Sequence, residues 1–145
     1  MIKMKIYDAS NKILGRLCSI IAKELLKGEE VVVVNCEKAI LAGNPKSRIE
    51  QYLQRIHAGD PLKGPFFPRY PDEIFRRAVR GMLPWKKEKG RKAFKRLKVF
   101  IGLPKEYEGK KFEEIKIKGI DKSKLKCKYI TLEELSLAIG AKKRW

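Results

Sequence analysis

Residues 4–34 read M-K-I-Y-D-A-S-N-K-I-L-G-R-L-C-S-I-I-A-K-E-L-L-K-G-E-E-V-V-V-V. Met4 to Tyr7 is short and apolar enough for a first strand. Asp8 to Lys12 supplies turn and capping chemistry. From Leu14 the period changes: Leu14, Leu17, Ile21 and Leu25 fall three and four apart, one stripe of a helix that Gly28 stops. Val31 to Val34 are four β-branched residues in a row, which suits a strand buried on both faces, as in a parallel sheet. Strand, helix and strand in about 30 residues make a βαβ unit, so the chain reads as a small parallel α/β domain.

Working outward, Ala39 to Ala42 offers a third, very short strand. Gly43-Asn44-Pro45 is a turn with Asn44 as N-cap and Pro45 at the first helical position. Ile49, Tyr52, Leu53 and Ile56 then form an apolar stripe, with Lys46, Arg48 and Arg55 off it. The stretch 57–71 is rich in Pro and Gly and reads as a loop, long enough to be functional. Pro71-Asp72-Glu73 opens another helix, with acids in its first turn. Its inward face is Ile74, Phe75, Ala78, Val79 and Met82, and Pro84 ends it. Lys86 to Arg96 reads as a short basic helix or turn anchored by Ala93 and Phe94, and Leu97 to Ile101 as the last core strand. Beyond Pro104 the pattern weakens; Ile115 and Ile117 alternate as along an edge strand. Thr131 and Glu134 form a capping box for a final short helix carrying Leu132, Leu135 and Ile139, stopped by Gly140. The expected organisation is one domain, with a core over 1–102 and a basic C-terminal extension over 103–145.

The 145 residues are enough for a single substantial core, and 43% hydrophobic content argues for a folded chain. Net charge is +18, a self-repulsion that calls for a polyanion: nucleic acid, an anionic membrane surface or an acidic protein. Basic composition of this kind favours nucleic acid. The charge is focused, at +8 over residues 71–102 against +5 on either side. Three cysteines, Cys18, Cys36 and Cys127, share no short spacing, which argues against a disulfide framework or a zinc site and fits a reducing cytosol. No stretch approaches the roughly 18 apolar residues of a membrane span, and the N-terminus has no signal-peptide run. A soluble intracellular protein is expected.

Enzyme chemistry finds no foothold. The first strand-to-helix turn, Asp8 to Gly15, lacks a dinucleotide glycine fingerprint. Gly43-Asn44-Pro45-Lys46-Ser47 echoes the end of a P-loop, but the first glycine is missing and Pro45 removes a needed donor. His57 borders the loop with no evident acid or nucleophile. The neighbouring carboxylates Asp72 and Glu73, or Glu113 and Glu114, suit helix-start or solvated charges. Cys36 ends an apolar strand and reads as a small buried hydrophobe. No catalytic residue, metal, cofactor or small-molecule substrate is expected.

A basic constellation remains. Ten basic residues stand against one acid between Arg76 and Arg96. Arg76, Arg77 and Arg80 fall on neighbouring turns of one helix and could bracket adjacent phosphates. Lys86, Lys87, Lys89, Arg91, Lys92, Lys95 and Arg96 continue the patch. Trp85 is interleaved, either stacked on an unpaired base or packed against its own helix. Arg16, Arg48, Lys142, Lys143 and Arg144 complete the RNA-facing candidates.

The stretch Val79-Arg80-Gly81-Met82-Leu83-Pro84, a five-residue spacer, Gly90-Arg91, five more residues and Leu97-Lys98-Val99-Phe100-Ile101-Gly102 resembles the signature of the L-thirteen family of large-subunit ribosomal proteins. Asp8-Ala9, Leu14-Gly15-Arg16-Leu17, Val34-Asn35-Cys36-Glu37-Lys38 and Gly43-Asn44 are supporting likenesses in the family's order. The resemblance implies a three-layer α/β/α fold with a small, mainly parallel four-stranded sheet. It implies a non-catalytic, cytoplasmic constituent of the large ribosomal subunit that binds 23S-type ribosomal RNA early in assembly, beside neighbouring ribosomal proteins and without a membrane. Some eukaryotic relatives are credited with an off-ribosome role on messenger RNA, the alternative expectation. The 57–71 loop and the tail after Pro104 are unlike the bacterial form and closer to the archaeal and eukaryotic branch. Family contacts therefore do not carry over to 103–145.

Overall fold

The computed structural model describes residues 3–113, 120–143 and 145; the expected edge strand at Ile115 and Ile117 lies outside them. The order of elements is β1 (Met4–Asp8), α1 (Leu14–Leu26), β2 (Glu30–Val34), β3 (Ile40–Ala42), α2 (Pro45–His57), α3 (Pro71–Met82), α4 (Glu88–Lys95), β4 (Leu97–Val99), β5 (Tyr129–Thr131) and α5 (Leu132–Ala138). β2 is the centre of a parallel sheet ordered β1-β2-β4, with Val33 opposite both Tyr7 and Val99. The α/β class is therefore as expected.

The central strand shows why. Val31 and Val33 face the main core, with Tyr7, Leu97 and the helices, while Val32 and Val34 face a second cluster with Ile6 and Tyr107. Burying each valine side chain is worth about 1.5–3 kcal/mol, and only a strand covered on both sides collects it from four in succession. Every helix contributes to the main cluster. Among the described residues, the opposite face is covered by the 3-10 turn Lys105–Tyr107 and by Phe100 and Phe112.

In place of one mainly parallel four-stranded sheet, the described residues form a parallel three-stranded sheet and a separate two-stranded one. β3 pairs antiparallel with β5, Ile40 opposite Thr131, and touches the first unit through one parallel bridge between Ile13 and Ile40. The chain beyond Pro104 thus supplies part of the core: Ile120, Ile130, Leu132, Leu135 and Ile139 are all buried in the main cluster. Ile13 N–H donates to the Ile120 carbonyl at 2.8 Å, and Lys12 pairs with Asp121 beside it.

Local chemistry follows the sequence closely, with two exceptions. Asn44 accepts from Lys46 N–H and Thr131 from Glu134 N–H, capping α2 and α5. Asp8, by contrast, does not cap α1, whose N-cap is Ile13 with no side-chain bond. Instead Asp8 Oδ1 accepts from Ser10 N–H at 2.9 Å and from Asn35 Nδ2 at 3.2 Å, tying the ends of β1 and β2. Burial would raise the Asp8 pKa, but these hydrogen bonds prevail and hold it below its ordinary value. The second exception is Met82, expected inward but 43% exposed. The helix ends there; Leu83 turns extended, at ψ 150°, and it is Leu83 that is buried against the core.

Candidate nucleic-acid interface

α3 presents two faces. Pro71, Ile74, Phe75 and Val79 are buried, which leaves Arg76, Arg77 and Arg80 on the outer side. None of the three guanidiniums hangs free in water. Arg76 lies 4.9 Å from the ring centroid of Phe94, and Arg80 lies 4.3 Å from that of Trp85. The two rings meet edge to face, 5.3 Å apart. Arg77 sits 5.9 Å from the Phe67 ring and donates from Nη2 to the Phe66 carbonyl at 3.3 Å. Such stacking holds a guanidinium plane while leaving its N–H edge for a bidentate acceptor such as phosphate.

Glu73, Arg76, Arg77, Arg80, Trp85 and Phe94 line a cleft of about 250 Å³. Four of the sequence candidates, Arg76, Arg77, Arg80 and Trp85, are thus brought together. Trp85 is 37% exposed, and its contacts are those of a brace for Arg80 packed on Phe94. At Phe67 a fourth guanidinium repeats the pattern. Arg55 lies 5.0 Å from the Tyr52 centroid and 5.7 Å from that of Phe67. Tyr52 is buried there, which pushes its phenol pKa up despite the nearby arginines. Neither Arg55 nor Phe67 was a sequence candidate. Arg55 and Tyr52 are three apart on a predicted helix, a signal that was legible, but Phe67 belongs to a loop whose course was not.

α4 carries the rest of the patch. Gly90 makes its position possible: a Cβ there would stand 2.2 Å from the Pro84 carbonyl oxygen, inside contact distance. Arg91 closes the same turn, donating from Nε to the Trp85 carbonyl and from Nη2 to that of Lys86, both at 3.1 Å. Lys86, Lys87, Lys89, Lys92 and Lys95 are exposed, Lys92 being paired with Glu88 at 3.1 Å. Arg96 is turned away from this group. Its Nη2 donates at 2.6 Å to the Leu25 carbonyl at the end of α1, satisfying an acceptor that the helix leaves open.

The remaining candidates do not line this cleft. Arg16 is exposed on α1. Arg48 donates from Nε to the Ala42 carbonyl at 2.9 Å and stands over Gly43. Lys142 is exposed, Lys143 pairs with Glu133 at 3.2 Å, and Arg144 lies outside the described residues. Cys18 and Cys36 are buried, and burial raises both thiol pKa values. Among the described residues no helix is long and apolar enough to cross a membrane.

The profile of the family described as Ribosomal protein L13 matches residues 2–106. The chain belongs to that family. It is 52% identical over 136 residues to the large ribosomal subunit protein uL13 of Methanopyrus kandleri, spanning 93% of this chain and 86% of the relative. The uL13 of Archaeoglobus fulgidus is 50% identical over 135 residues, with the same coverage. That of Methanocaldococcus jannaschii is 45% identical over 144 residues, covering 96% of this chain and 99% of its own. The profile stops at residue 106, but these archaeal relatives extend through the C-terminal region, in keeping with the archaeal-like branch.

Proposed function

We infer that this chain is a structural, non-enzymatic constituent of the large ribosomal subunit, located in cytoplasmic ribosomes, where it binds large-subunit ribosomal RNA and supports subunit assembly. Membership of the L13 family carries this reading, since its relatives are named as large-subunit proteins over nearly their whole length. The binding surface proposed is the arginine row of α3, with Arg76, Arg77 and Arg80 on phosphates and Trp85 as their brace. Lys86, Lys87, Lys89, Arg91, Lys92 and Lys95 extend the field over α4. Arg16, Arg48, Arg96, Lys142, Lys143 and Arg144 are secondary contacts or neutralising charge, and neighbouring ribosomal proteins complete the surroundings.

The mechanism is counterion release and shape fit. Neutralising about 6–10 phosphates would make affinity fall by about three to five orders of magnitude between low and moderate salt. A tagged copy of the chain expressed in an archaeal host and run through a sucrose gradient at low salt tests the assignment. The chain is expected in the large-subunit peak. Sedimentation free of subunits would refute the reading and favour an off-ribosome regulator.

A further inference from the structure

A second cleft, of about 540 Å³, lies where the loop between α2 and α3 folds against the start of α3. Its size is that of a small-molecule site, and its walls are unusual for a surface loop. Phe66 is 67% exposed yet held in place. Its carbonyl accepts from Arg77, and its ring lies over Gly64, where a Cβ would stand 3.1 Å from it. The turn beneath is closed by Asp60 N–H to the Gly64 carbonyl at 3.2 Å, by Gly64 N–H to the Asp60 carbonyl at 2.8 Å, and by Leu62 N–H to Asp60 Oδ1 at 2.9 Å. An aromatic ring is therefore kept out in water by an ordered turn, beside an open cavity.

The surroundings choose the occupant. His57 and Arg69 line the cleft, and Arg55 and Arg77 stand behind it on Phe67, so the rim attracts a polyanion. Glu73 lines both this cleft and the arginine cleft, so the two are contiguous along α3. Glu73 has no partner among the described residues, although Arg76 and Arg77 follow it at helical spacing. A carboxylate only accepts hydrogen bonds. It would repel a phosphate but would suit the amino edge of a base.

We propose that this cleft takes one unpaired nucleobase of the RNA bound along α3, stacked on Phe66 with an amino-bearing edge toward Glu73. The site rests on the RNA-binding function inferred above and adds base recognition to it. Single-stranded RNA is read in this way elsewhere, by splayed bases stacked on aromatic side chains.

The test uses the full chain and transcribed large-subunit ribosomal RNA of Methanopyrus kandleri, in filter binding across a salt series. Phe66→Ala is expected to weaken binding about 5- to 160-fold, as for loss of one stacked base, by the same factor at every salt, because no counterion is involved. Glu73→Gln is expected to weaken it several-fold. Leu62→Ala, 88% exposed on the same loop but outside the cleft, should bind as the parent does, and all three should melt with the parent. If Phe66→Ala binds normally while the parent keeps a steep salt response, the base site is wrong and the RNA reading stands. Equal losses in Phe66→Ala and Leu62→Ala also overturn it. So does unchanged RNA affinity with lost incorporation into subunits, which would assign the cleft to a protein neighbour. A flat salt response of the parent would instead strike at the RNA reading itself.

Discussion

Replacing Arg76, Arg77 and Arg80 together with glutamine removes three charges and shortens each side chain by two bonds while keeping it polar. Each phosphate contact contributes about 0.7–0.9 to the slope of log affinity against log salt. The triple variant should therefore flatten that slope by about 2–3 units. Between about 50 and 200 mM salt the parent should lose about 10³–10⁵ in affinity, and the variant about 15- to 40-fold less than the parent. The fold should survive. Three guanidiniums lie within 6 Å of an aromatic centroid, at 4.9, 5.9 and 4.3 Å, and such contacts are worth about 0.5–1 kcal/mol each at exposed sites. At most about 3 kcal/mol is lost, a fall in Tm of roughly 10 °C for a chain of this size. Filter binding of ribosomal RNA at five or six salt concentrations, with calorimetry on the free protein, measures both effects. Lys122, Lys126 and Lys128, exposed on the C-terminal segment, serve as the control set when changed to glutamine. A triple arginine variant with the parental slope, or a control set with an equal effect, would refute a focused site on α3.

Leu135→Ala in α5 opens a cavity at a fully buried position and should cost about 2–5 kcal/mol in urea unfolding; a loss under about 0.5 kcal/mol would mean that α5 is not part of the core. Gly90→Ala should destabilise by about 1–3 kcal/mol through overpacking against Pro84. Gly81→Ala, on an exposed helical turn where a Cβ meets nothing within 4 Å, should instead stabilise the free protein by up to about 1 kcal/mol; thermal melts that reverse the two signs would sink the geometry. Glu24 has its pKa lowered to about 2, held there by the ammonium of Lys5 at 2.5 Å and that of Lys27 at 3.2 Å. Because the folded value lies below the ordinary 4.5, this stabilisation is complete above that pH and is lost as pH falls toward 2. Glu24→Gln should be less stable than the parent at neutral pH and converge with it in acid denaturation.

What could be read in advance was what is local. The valine run, the three-and-four spacing of α1 and the caps at Asn44 and Thr131 are contained within single elements, and each formed as its residues dictate. β3 was legible as a very short strand at Ala39–Ala42, but β5 is three residues long, too short for a period to be visible, and its pairing with β3 joins segments far apart along the chain. Met82 satisfied the helical period, yet the helix stopped under it and an extended residue took its place. The arginines of α3 were legible as a face. Their stacking on Phe67, Phe94 and Trp85 was not, because those rings arrive from a loop, from α4 and from the turn between.

The pairing of β3 with β5 has a consequence for how the protein is made. Ile40 emerges from the synthesising ribosome long before Thr131, and at about 5–20 residues per second the interval is about 5–20 s. For that time β3 offers an open strand edge, the feature that invites pairing with the wrong chain. The parallel unit around β2 can assemble as soon as Gly102 is out, with its N–H on Glu37 at 2.9 Å. The second sheet cannot. A chain interrupted before Tyr129 would keep an open, adhesive strand edge at Ile40–Ala42.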